Sequence, residues 1–281
     1  MVTFEGKTFA SWQEARASIV AKPEAAPVVE TAVAVAEAPP DHIADPGKMV
    51  DTPVHKARSL TERYRPRKLA ELAGQAEAVA VLSAYVADPY PAAFIFAGAT
   101  GTGKTSAAWA LAAELDCSID SNPPEFGGVF SIASGEHNAD SLRTVWPGLW
   151  TMPFESARGW KVLICNEIES LNGAVEKLWL DKLEDLPPST AVVFTTNALE
   201  TLPARFVDRC IGGVLEFKAS ADDLLQPAQA LARSIWRQET GGDIPADVLD
   251  KVCKRSIQAG RLSFRRVVQA LVPLIAGRGI K

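Results

Sequence analysis

Eight consecutive residues, Gly98-Ala99-Thr100-Gly101-Thr102-Gly103-Lys104-Thr105, carry the chemistry most easily read from this chain. Glycines at this spacing let the backbone curl until successive N–H groups converge on one anion. The lysine and hydroxyl that follow extend the grip to further phosphates and to a metal. The pattern G-x-x-x-x-G-K-[ST] makes physical sense only between a buried strand and a helix, and both flanks are present. Ala92 to Ala97 (AAFIFA) is a short apolar run suited to a strand covered on both faces, and Ser106 to Leu115 (SAAWALAAEL) is rich in good helix formers. The phosphates would sit at that helix's N-terminus, along Gly98 to Ser106, with Lys104 on the outer phosphates and the Thr105 hydroxyl on Mg²⁺. Nucleoside triphosphate binding follows.

Such a loop needs a sheet to hang from. Val129 to Ala133 (VFSIA), Trp160 to Cys165 (WKVLIC) and Thr190 to Thr196 (TAVVFTT) read as three more core strands. Helices are expected from Gln75 to about Val86, from Asn138 to about Leu149, and from Val175 to Leu186, where Val175, Leu178, Trp179, Leu183 and Leu186 share one stripe. Strands alternating with helices call for a parallel α/β sheet covered on both faces. The third of these strands ends at Asn166-Glu167 and the fourth at Asn197, placing polar groups at the carboxyl edge, where open α/β sheets bind ligands. From Ala221 onward the pattern is helical only, with Gly241-Gly242 as a turn, Asp243 and Pro245 at a helix start, and Gly260 as a break before Phe264 to Ala276.

Composition sets the bounds. A chain of 281 residues with 47% apolar content can bury a substantial core, and its formal charge of −5 gives no global nucleic-acid signature. A local patch is the alternative. After Asp250 there is no acidic residue, but Lys251, Lys254, Arg255, Arg261, Arg265, Arg266, Arg278 and Lys281 follow, which suits either a nucleic-acid contact or a solvated helix face. Cys117, Cys165, Cys210 and Cys253 are too widely spaced for a zinc knuckle and read as core residues of a reduced, cytoplasmic protein. No apolar run reaches membrane-spanning length and no signal peptide is evident, so no membrane partner is expected.

Residues 1–20 read as a small element with a capping box at Ser11 to Glu14, and the Ala/Pro-rich residues 21–57 as a flexible linker. The compact part comprises a nucleotide-binding domain at 58–219 and a small helical domain at 220–281. It opens with SLTERYRPRKLAELAGQ, residues 59–75, where basic residues surround Tyr64 and Pro66.

Several of these motifs, in order from about Thr61 to Ala276, resemble the AAA+ clamp-loader ATPases: the small replication factor C subunits and their phage and bacterial relatives. RYRP with ELAGQ is similar to the family's opening box, which packs near the adenine, and Gly98 to Thr105 to its Walker A. KVLICNEIESL resembles Walker B, LWLDKLEDLPPSTAVVFTTN the helix and sensor 1 strand, and LPARFVDRC the segment ending in Ser-Arg-Cys. The resemblance implies an AAA+ P-loop fold with a five-stranded parallel sheet flanked by helices, then a three-helix lid. It implies ATP and Mg²⁺ as ligands, and other AAA+ subunits, DNA and a sliding clamp as partners. Position by position, Glu167 would orient the attacking water and Asn197 would hold that water or the γ-phosphate. Arg209 would reach into a neighbouring subunit's ATP, with Arg205 as the alternative, and Arg265 would be the lid's arginine on the nucleotide. These roles suit a reaction that needs a positioned water and positive charge on the developing oxygens.

The chain departs from the family's pattern in three places. Asn166 stands where the family has Asp; an amide can hydrogen-bond a metal-bound water but brings no negative charge to Mg²⁺, so slow hydrolysis or weak Mg²⁺ binding is expected. Asp208 replaces the serine before Arg209 and is placed to pair with it. Clamp loaders usually continue into a helical collar, whereas this sequence stops soon after the lid, so another means of assembly is expected. Two other readings stand beside the clamp loader: a branch-migration or transposition-type AAA+ helper, and a weakly hydrolysing ATP-dependent scaffold.

Overall fold

The computed structural model describes residues 2–4, 7–9, 59–169, 171 and 173–277. The chain divides into two units, Met1–Thr52 and Pro53–Lys281. In the first, β1 (Val2–Phe4) and β2 (Lys7–Phe9) pair antiparallel. The capped helix expected at 11–20 and the linker at 21–57 lie outside the described residues.

The second unit opens with α1 (Leu60–Arg63), started by a reciprocal Ser59–Glu62 capping box, and a 3-10 turn at Leu69–Glu71. It continues through α2 (Ala76–Ala87), β3 (Ala92–Ala97), α3 (Lys104–Glu114), β4 (Val129–Ile132), α4 (Ala139–Val145), β5 (Lys161–Cys165), α5 (Gly173–Glu184), β6 (Thr190–Thr196), α6 (Ala204–Arg209) and β7 (Gly213–Glu216). The strands form one five-stranded parallel sheet in the order β4-β5-β6-β3-β7. The expected α4 stops early: Pro147 supplies no N–H, and residues Trp146–Trp150 tighten into a 3-10 turn. Of this sheet's five strands, β7 alone is not expected from its own residues, because GVLE is short and opens on glycine.

Two apolar layers cover the sheet. Alternation along β3 sends Phe94 and Phe96 to one face, with Leu82 of α2 and Leu111 of α3, and Ala93 and Ile95 to the other, with Leu142, Trp179 and Phe206. Each fully buried Phe or Leu contributes about 2 kcal/mol by leaving water. All four cysteines are free and buried, as their spacing suggested.

The lid is three helices, α7 (Ala221–Thr240), α8 (Ala246–Ser256) and α9 (Phe264–Ile275), around Leu224, Ile235, Val252, Val267 and Leu271. It is not purely helical. Ile257–Gln258 and Arg261–Leu262 pair as β8 and β9 across Ala259 and Gly260, both left-handed at φ 50° and 72°, which is the backbone a two-residue hairpin turn demands. Two members of the basic C-terminal cluster are neutralised within α8, Lys251 by Asp247 and Lys254 by Asp250. Tyr64 Oη donates to Glu239 Oε1 at 2.6 Å and Arg63 to Oε2 at 3.0 Å, which ties the entry segment to the end of α7. Among the described residues no helix is long and apolar enough to cross a membrane.

Candidate nucleotide site

The phosphate loop leaves the sheet between β3 and β6, where Gly98 N–H donates to Thr196 O at 3.2 Å. It then enters α3 through Gly103, which caps the helix in the left-handed region at φ 105° with no side-chain cap. The amides of that first turn therefore face the loop's concavity rather than a side-chain oxygen, and the helix dipole favours negative charge there.

Lys104 is buried, at 6% exposure. Its Nζ donates to Gly98 O at 2.7 Å, Ala99 O at 2.9 Å and Asn197 Oδ1 at 2.9 Å. Burial lowers its pKa to about 8; the Glu167 carboxylate opposes that shift and Arg265 adds to it. An incoming triphosphate brings charge that favours the ammonium. Nucleotide binding at pH 8.5 is therefore expected to take up about 0.8 proton, from a lysine of pKa about 8 going fully charged. Calorimetric titrations in buffers of different ionisation enthalpy would show this uptake, and it should vanish by pH 6.5.

The carboxyl edge of the sheet supplies the rest. At the end of β5, Asn166 N–H donates to Ile132 O at 3.0 Å, and its Oδ1 accepts from the Thr105 hydroxyl at 3.4 Å. His137 Nε2 lies 2.5 Å from Asn166 O, an acceptor, so the ring hydrogen belongs on that nitrogen. Glu167 turns into the left-handed region at φ 52°, with its N–H on Thr195 Oγ1 at 2.9 Å. Asn197, just past β6, accepts from Lys104 and from Thr100 Oγ1 at 3.3 Å while its Nδ2 donates to Glu169 Oε1 at 3.4 Å.

Above this floor a cleft runs between sheet and lid. Thr100, Gly101, Thr102, Gly103, Lys104, Thr105 and Ser106 line it together with Glu167, Thr195 and Asn197, and so do Tyr64, Arg65, Pro66, Leu72, Leu231 and Val268. Gly98 and Ala99 contribute their carbonyls to Lys104 rather than a wall. Arg265, on α9 of the lid, also lines the cleft. The lid rests on the loop itself. Phe264 N–H, at the start of α9, donates to Gly101 O at 2.9 Å, and a β-carbon on Gly101 would lie 2.0 Å from Ser263 Oγ. From below, Gln75 bridges the loop and the segment after β7: its Nε2 donates to Thr102 O at 3.3 Å and Lys218 O at 2.9 Å, and its Oε1 accepts from Lys218 N–H at 2.9 Å.

Arg209 lies elsewhere. It sits at the end of α6 in an exposed pair with Glu184 at 3.1 Å, not with Asp208 as the sequence suggested. Arg205 is held by Glu176 at 2.5 Å, a buried carboxylate of α5. Thr195, Glu169 and the apolar lid residues Leu231 and Val268 were not singled out from sequence, because a threonine in a β-rich run or a leucine on a helix carries no chemical signature of its own.

Comparison with known proteins agrees with this geometry. The family model for the ATPase family associated with various cellular activities (AAA) matches residues 94–214. The replication factor C small subunit of Thermoplasma acidophilum is 28% identical over 166 residues, 59% of this chain and 50% of that protein. The DNA polymerase III subunit gamma/tau of Mycoplasma pneumoniae is 28% identical over 184 residues, 59% of this chain and 26% of that protein. This chain thus spans half or less of the length of either relative. Among solved structures, the Thermotoga maritima RuvB Holliday junction branch migration motor shares the fold with a TM-score of 0.52 and 21% identity, over 75% of this chain and 73% of that one. Residues 94–214 of this chain thus form a domain of the AAA family of ATPases, and the chain is homologous to replication factor C small subunits and to the DNA polymerase III subunit gamma/tau.

Proposed function

We propose that this chain is the ATP-binding and hydrolysing subunit of a clamp-loader-like assembly that acts on DNA in replication. The observation that carries the reading is a division of labour. Lys104, Glu167, Asn197 and Arg265 meet at one cleft, whereas Arg209 projects from α6 outside it. An arginine left out of its own site is available to a neighbour's, where it would stabilise charge developing on the transferred phosphoryl group.

Lys104 holds the outer phosphates and Glu167 orients the attacking water, with Asn197 placed to hold that water or the terminal phosphate. Mg²⁺ fits the donors present: the Thr105 hydroxyl would bind it directly and Asn166 through a water, both being oxygen donors. Once bound it would neutralise charge on the phosphate oxygens. Among the described residues no group of three or more His, Cys, Asp or Glu side chains could hold a metal alone, so the nucleotide's own oxygens must complete the shell. Arg265 reaching from the lid would couple the nucleotide to lid posture, and Arg209 would couple it to assembly with other AAA+ subunits. A sliding clamp and primed DNA are the proposed partners, and the buried free cysteines suit a reducing cytoplasm.

The test is ATP turnover against protein concentration, with and without primed DNA and a sliding clamp. Specific activity should rise with concentration, rise further with DNA and clamp, and fall at least about tenfold in Arg209→Ala with nucleotide affinity retained. A turnover indifferent to concentration, DNA and clamp would overturn the reading.

A further inference from the structure

We propose that Thr195 is a positioning residue for hydrolysis: its buried hydroxyl holds Glu167 in the backbone conformation that aims the carboxylate into the cleft. The inference rests on Glu167 being the residue that orients water.

Among the described residues, Asp116, Glu167, Ser189 and Ala259 are the non-glycine residues with positive φ. Asp116, Ser189 and Ala259 occupy turns between elements, where such backbone is ordinary. Glu167 does not: it is the second residue past the end of β5, where a chain leaving a parallel strand would ordinarily stay extended. A β-carbon disfavours the left-handed region, so the conformation persists only where neighbouring groups over-determine it.

One residue supplies those constraints. Thr195 Oγ1 accepts from Glu167 N–H at 2.9 Å, and Thr195 O accepts from Ile168 N–H at 2.8 Å. The amide of the left-handed residue and the amide after it are thus both held by Thr195, once through the side chain and once through the backbone. Thr195 is fully buried in β6, which pairs with β3 on one side and β5 on the other, so it cannot follow a drifting loop. It borders the same cleft as Glu167 and Lys104. Valine matches threonine in shape and β-branching but offers a methyl where the acceptor was. The Glu167 N–H would then lose its partner while strand packing survived, and the residue would relax out of the left-handed region.

The experiment measures single-turnover and steady-state ATP hydrolysis, with separate titration of a fluorescent ATP analogue, for Thr195→Val, Thr195→Ser, Glu167→Gln and the Thr195→Val/Glu167→Gln pair. Thr195→Val should lower kcat by about tenfold or more, with analogue affinity within about twofold of the parent. Thr195→Ser, which keeps the oxygen, should return kcat to near the parent value. In the Glu167→Gln background the valine should cost nothing further, because both changes disable one group. A merely structural role would move affinity and melting temperature together and would not be rescued by serine. If valine abolishes analogue binding, Thr195→Ala takes its place under the same criteria. Glu167→Gln without activity beside Thr195→Val with normal kcat, or serine as impaired as valine, overturns the positioning role alone. Normal turnover in Glu167→Gln overturns the reading of Glu167, and this inference with it.

Discussion

Lys104→Ala is expected to abolish nucleotide binding, weakening it by at least about a hundredfold and taking turnover with it, since charge-assisted contacts to a polyanion are the strongest in such a site. Two losses act together. The triphosphate loses the one ammonium placed at the loop's centre, and the carbonyls of Gly98 and Ala99 lose a shared donor that keeps the loop curled. Lys104→Arg should do little better although it keeps the charge. The ammonium sits at 6% exposure among three converging oxygens, a geometry that suits a compact point donor and not a planar fork. Titration of a fluorescent ATP analogue together with phosphate release reads both effects; binding kept within tenfold of the parent would remove the loop from its assigned role.

Glu167→Gln should separate binding from chemistry. The amide preserves shape, so analogue affinity is expected to stay within about threefold, while turnover drops by about two to four orders of magnitude because the group that orients and polarises the water is gone. The companion variant is Asn166→Asp. In the parent, Asn166 presents Oδ1 to the Thr105 hydroxyl while its Nδ2 points toward Ile132 O at 3.5 Å. A carboxylate would bring the missing negative charge to Mg²⁺, so turnover should rise and saturate at lower Mg²⁺. Unchanged turnover in Asn166→Asp, beside a dead Glu167→Gln, would dispose of the idea that the amide slows this enzyme.

What the sequence made legible and what it hid divide along physical lines. β3 and β6 have the bounds expected of them, because strands covered on both faces are continuous apolar runs with sharp polar ends. The phosphate loop was legible because glycine at set spacing before lysine has few other uses. Ion-pair choices were not: Arg209 turned from its neighbour Asp208 to Glu184 on α5, because side chains next to each other on one helix point apart while packed helices face each other. The β8–β9 hairpin was missed because two-residue strands leave no period to detect. The constraint on Glu167 was hidden most deeply, since it joins positions 28 residues apart through one hydroxyl on a neighbouring strand.

Gln75 shows how backbone alone can dictate a side chain's identity. Just 2% exposed, it answers three main-chain groups, two carbonyls and one amide, as a short rung of ladder would. Glutamate there would turn an oxygen toward two other oxygens, and leucine would orphan all three groups. Only a carboxamide satisfies the junction, so the segment that follows β7 and the floor beneath the phosphates are stitched by a residue that need never touch the nucleotide.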